Sequence, residues 1–87
     1  MEEARWWALR PARSGRARTY VCPFCGRRLH AMSEHALIAP EGDVERRRHA
    51  HLECVRAARA AGTFKTYDDW RAEQPRQRGW LARLFRR

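Results

Sequence analysis

Cys22-Pro23-Phe24-Cys25-Gly26 is answered further along the chain by His51-Leu52-Glu53-Cys54. The first stretch reads as a metal knuckle. Its two thiolates converge on one point when the chain turns, and Gly26 supplies the positive φ that such a turn takes. The second pair is a histidine and a cysteine at i and i+3. That spacing suits the first turn of a helix, where both side chains share a face. Four soft or borderline donors in two pairs suit one tetrahedral Zn²⁺ ion in a structural role. The ligand set is then Cys22, Cys25, His51 and Cys54. His49 rivals His51, since residues two apart on a strand face the same way. Only His51, however, stands three residues before Cys54. His30 and His35 read as satisfied or exposed histidines, either of which can donate to a neighbouring carbonyl.

A chain of 87 residues implies one small domain. A core of that size gives marginal stability, and a bound metal is a common remedy. The three cysteines are an odd number. Met1-Glu2-Glu3 is acidic and leads into no apolar run, and no stretch approaches membrane-span length. The expectation is a cytoplasmic protein with its thiols on metal rather than in disulfides.

The formal net charge is +9, and of the 19 basic residues only Lys65 is not arginine. Arginine brings a planar fork that matches phosphate, so a polyanion is the expected partner. Nucleic acid is favoured, RNA or a ribosome first. The candidate phosphate contacts are Arg13, Arg16, Arg18, Arg27, Arg28, Arg46, Arg47 and Arg48.

Taken in order, the chain divides into three parts. Residues 1–18 read as a strand around Trp6-Trp7 followed by a basic loop from Pro11 to Arg18. One tryptophan is expected to cap the core; the alternative is a stacking platform for bases. Residues 19–62 hold the metal-binding domain. Thr19-Tyr20-Val21 leads into the knuckle and Arg27-Arg28-Leu29-His30 leaves it. His35 to Ala39 is a strand stopped by Pro40, and Val44 to Ala50 returns as another, with Arg47 facing opposite to Arg46 and Arg48. An Ala-rich helix starts at His51 and stops at Gly62. Residues 63–87 form a helical, Arg-rich extension. Thr66 caps a short helix from Tyr67 to Glu73, and Trp80, Leu81, Leu84 and Phe85 fall on one apolar helical face.

The order knuckle, hairpin, helix resembles the treble-clef zinc finger, from Tyr20 to about Ala61. The chain also resembles a set of short bacterial zinc-finger proteins with a CPxCG knuckle and a late HxHxxC motif. The matching residues are Tyr20-Val21-Cys22-Pro23-Phe24-Cys25-Gly26, His35-Ala36-Leu37-Ile38 and Arg48-His49-Ala50-His51-Leu52-Glu53-Cys54. Members of that set commonly carry aromatic residues where this chain has Ala50 and Val55. The resemblance implies a small α+β fold built on one zinc ion.

Three cysteines and a histidine close a zinc site, which argues against catalysis on the metal. A His-metal nuclease would need His49 or His35 as base beside Glu53 or Asp43, and the spacing does not reproduce such a motif. The sequence therefore reads as a non-enzymatic zinc module that binds nucleic acid, with no small-molecule substrate. The alternative is a protein-interaction adaptor that docks through Trp80, Leu81, Leu84 and Phe85. The same tail is short for lasting membrane attachment, and it would otherwise pack back on the domain with Trp80 as a plug.

Overall fold

In the computed structural model, residues 3–74 are described. Their elements, in chain order, are β1 (Trp7–Ala12), β2 (Thr19–Val21), β3 (Arg28–His30), β4 (His35–Pro40), β5 (Arg48–Ala50), α1 (Leu52–Ala61) and α2 (Tyr67–Ala72). Antiparallel pairing gives a three-stranded sheet in the order β1-β4-β5 and a separate hairpin, β2-β3. The class is small α+β, with a helix set beside antiparallel sheets.

The central strand β4 is buried along nearly its whole length, because β1 and β5 flank it and both of its faces are covered. Ala36 and Ile38 are fully buried and share a core with Val55 and Ala58 of α1. Trp7 enters the same core from β1, and Phe64 enters it from the link after α1. The two rings lie 5.7 Å apart. Cys22 and Leu29 bring the hairpin to it. The N-terminal strand, the centre and the C-terminal link therefore share one core.

The Trp6-Trp7 pair divides as strand alternation requires. Trp7 is buried, while Trp6 is half-buried and meets Tyr67 of α2 edge-on at 4.9 Å. The expected basic loop starts later than Pro11, because β1 runs on to Ala12. Pro11 is tolerated there because β1 is an edge strand and can lack a ladder donor.

The return strand expected from Val44 to Ala50 is corrected to a 3-10 turn, Val44–Arg46, followed by the short β5. Asp43 is the cause. Its side chain accepts from the Glu45 amide and its carboxylate lies 3.2 Å from Arg46 Nε. This local bonding competes with the sheet ladder, so Arg46 lies outside the strand alternation.

The helix boundaries follow their caps. Gly62 takes the left-handed conformation at φ 78° and closes α1, as its place after the Ala-rich run implies. Thr66 and Asp69 form a capping box on α2. Arg59 of α1 grips the same Asp69 through two bonds of 2.9 Å, which joins the two helices. Trp7 N donates to Lys65 O at 2.8 Å, so the link also adds to the free side of β1. No helix among the described residues is long and apolar enough to cross a membrane. The tail with Trp80, Leu81, Leu84 and Phe85 lies outside the described residues.

Candidate metal centre

The turn between β2 and β3 builds the first half of the site. Cys22 N donates to Arg27 O and Gly26 N to Cys22 O, each at 2.9 Å. Gly26 supplies the positive φ of 73° that brings the chain round. The Arg27 amide points at Cys25 Sγ from 3.5 Å, so the backbone already offers a donor to a thiolate. Cys22 is fully buried, whereas Cys25 is exposed on the rim.

The start of α1 builds the second half. His51 is the residue before the helix; its carbonyl accepts from Val55 N, and its ring makes no capping bond. The ring is therefore available to the site. Cys54, in the first turn, faces the same way. The donor atoms of Cys22, Cys25, His51 and Cys54 all lie within 4.8 Å of one another.

These separations can be tested against a tetrahedral ion. Zinc bonds of about 2.3 Å to sulfur and 2.0–2.1 Å to nitrogen put a sulfur and a nitrogen ligand about 3.6 Å apart. His51 Nδ1 lies 3.4 Å from Cys25 Sγ and 3.8 Å from Cys54 Sγ, on either side of that value. The residues fit one metal ion, with Nδ1 as the histidine donor.

The electrostatics agree with a cation at the centre. Burial raises the Cys22 thiol. The backbone amides of His51, Cys25 and Phe24, with the His51 ring, outweigh it and hold the thiol well below the ordinary range. Cys54 is pushed up, first by burial and then by Cys25 and Cys22 beside it. Several thiolates this close repel one another unless a cation neutralises them.

His49 and His35 go elsewhere. His35 is buried, and its Nδ1 lies 2.8 Å from Ser33 O. A carbonyl only accepts, so His35 Nδ1 carries a proton. His49 Nδ1 lies 2.7 Å from His35 Nε2, so the two rings share one hydrogen bond. Tyr20 stacks on His49 at 3.7 Å, nearly parallel. Burial, and then the charges of His35 and Arg47, hold His49 below its ordinary range. The cluster fastens β2, β4 and β5 together two residues before Cys22 and two before His51. Sequence reasoning missed this cluster. Its one visible sign was three ring-bearing residues, Tyr20, His35 and His49, on separate strands.

Asp43 is occupied by Arg46 and the Glu45 amide, Glu53 is exposed, and the two histidines bond each other. Among the described residues there is no second group of three or more His, Cys, Asp or Glu placed to hold an ion. Of the expected phosphate contacts, Arg13, Arg16, Arg18, Arg27, Arg28, Arg46 and Arg47 are exposed and Arg48 is half-buried.

Fold and site together define a small α+β domain with a Cys₃His cluster suited to one metal ion. Residues 1–67 match the family described as Rv1322 family protein, and the chain belongs to that family. Neither a curated protein nor a solved structure matches the chain.

Proposed function

We propose that this protein is a non-enzymatic, zinc-stabilised module of the treble-clef type that binds nucleic acid in the cytoplasm, RNA or a ribonucleoprotein such as the ribosome first. Four protein donors complete a tetrahedral shell, so the ion has no open position for water or substrate. Its role is to hold the hairpin against α1 in a chain whose core is small.

One observation supports the nucleic-acid part: arginines stand exposed on several sides of the metal-bearing hairpin and the turn before β5. An acidic protein surface or a membrane would also attract them, but the arginine fork suits repeated phosphates best. The test is a tryptophan-fluorescence titration of the zinc-loaded protein with a short structured RNA, at low and near-physiological salt. Saturable binding is expected at both, weaker at the higher. Binding confined to low salt, or none, would refute the reading.

A further inference from the structure

The charge of this chain is segregated. Residues 4–33 contain seven arginines and no acidic residue. Residues 34–74 carry seven cations against eight acids. In that second region the charges meet one another: Arg46 with Asp43, Arg59 with Asp69 and Lys65 with Glu73. Arg5, at the start of the acid-free block, is joined to Glu41. The acid-free remainder is the end of β1, the loop after it and the β2-β3 hairpin.

The hairpin register sorts its side chains. Tyr20 pairs with Leu29, and these two turn inward, half-buried and buried. Thr19 pairs with His30 and Val21 with Arg28, and all four are exposed, Val21 at 63%. Arg27 follows the knuckle at one end of this outward face. At the other end the loop is tied down, with Ser14 N donating to Ala31 O at 2.8 Å and Ala31 N to Arg18 O at 2.9 Å. Exposed Arg13, Arg16 and Arg18 are thereby held beside the hairpin. The result is a set of exposed arginines on and beside the hairpin, in a stretch of chain that carries no acid.

Among the described residues, no tyrosine, tryptophan or phenylalanine ring shares this face, and the imidazole of His30 is the one small ring on it. Tyr20 stacks on His49 behind it, and Phe24 lies edge-on to Phe64. Trp7 is buried, Trp6 packs on Tyr67, and Trp70 meets Tyr67 and the Arg5 guanidinium, so these three rings do not serve it either. An unstacked single strand is held largely by rings that its bases stack upon. A double helix keeps its bases stacked inside and presents phosphates outward, where cations alone suffice.

We infer that the outward face of the β2-β3 hairpin, with Arg13, Arg16 and Arg18 beside it, is a phosphate-backbone surface that takes a double-helical nucleic acid. This rests on the nucleic-acid reading above, and it places the contact on the hairpin rather than on the Arg46–Arg48 run.

The test measures anisotropy of three labelled probes with the full zinc-loaded chain: an RNA duplex, a DNA duplex of matching sequence and a uridine homopolymer. One variant carries Arg16→Glu, Arg18→Glu and Arg28→Glu. A second carries Arg56→Glu, Lys65→Glu and Arg71→Glu, the same charge change placed elsewhere. Zinc content and far-UV circular dichroism are read for each, with Gln versions used if the Glu versions lose zinc. The hairpin variant is expected to lose about tenfold or more in duplex affinity at near-physiological salt and to flatten the salt slope by about three. The second variant should lose less than about threefold there, because screening confines the effect to nearby charges. The tighter of the two duplexes identifies the source of the phosphates. Equal losses in the two variants would overturn the surface while leaving the function standing. Tighter binding of the homopolymer would overturn the double-helix assignment. Wild-type protein that binds none of the probes would overturn the function itself.

Discussion

At the level of single residues, His49 and His51 stand two apart and do different things. His51 offers Nδ1 to the cysteines from the position before α1, while His49 turns into a bond with His35. His51→Ala is expected to abolish stoichiometric zinc, whereas His49→Ala should keep it and lose only stability. Metal analysis of the purified variants separates the two. Equal zinc loss in both would mean that His49 takes part in the site. Gly26 carries a second prediction. A Cβ there would meet nothing within 4 Å, so the penalty of Gly26→Ala is backbone alone. At φ 73° this costs about 1–2 kcal/mol, readable as a lower midpoint in urea. The thiols add a third. Cys54 is held protonated in the metal-free protein, so zinc uptake near neutral pH should release protons, seen with an indicator dye in weak buffer. Uptake with no proton release would contradict a thiolate site.

At the level of elements, the junction of α1 and α2 turns on Asp69. It closes the capping box with Thr66 and takes two bonds from Arg59. The bond from Arg59 and the Thr66 amide hold its carboxyl down to about 2, below its ordinary value near 4. The folded carboxylate is therefore the favoured form, and its contribution is complete above pH of about 4 and lost as pH falls toward the folded value. The stability gap between wild type and Asp69→Asn should be present at pH 6 and shrink below about pH 4. Acid loss of metal affects both proteins and cancels in the comparison. Thr66→Ala should cost about 1 kcal/mol through the lost cap, and a double-mutant cycle on Arg59 and Asp69 should give about 0.2–1 kcal/mol, since the pair is partly exposed.

At the level of the whole molecule, the metal site and the core are one object. Cys22 is both a donor in the cluster and a member of the core with Trp7, Ile38, Val55 and Phe64. Removing zinc with a strong chelator is expected to unfold the domain rather than loosen one loop. Trp7 fluorescence should shift to the red, and the cooperative thermal transition should vanish. A chelated protein that keeps a sharp transition would show that the core suffices alone. Trp7→Ala should cost about 3–5 kcal/mol, which a domain of this size cannot spare without metal.

The features legible in the sequence are those that depend on neighbours along the chain. The CPxCG turn, the i, i+3 spacing of His51 and Cys54, the stop at Gly62 and the cap at Thr66 need only local backbone geometry, so spacing and residue type suffice to place them. Local bonding also undid one expectation, because Asp43 bends Val44–Arg46 out of the return strand expected there. Other features needed the tertiary structure. Which of Trp6 and Trp7 enters the core depends on the register of β1 against β4, which pairs residues far apart in sequence. The joining of Tyr20, His49 and His35 requires three strands to meet, and nothing local encodes such a meeting. The charge total could be counted from the sequence. Where those charges stand was decided by the fold, since strand pairing turns Arg28 outward while ion pairs made across the fold neutralise charges elsewhere.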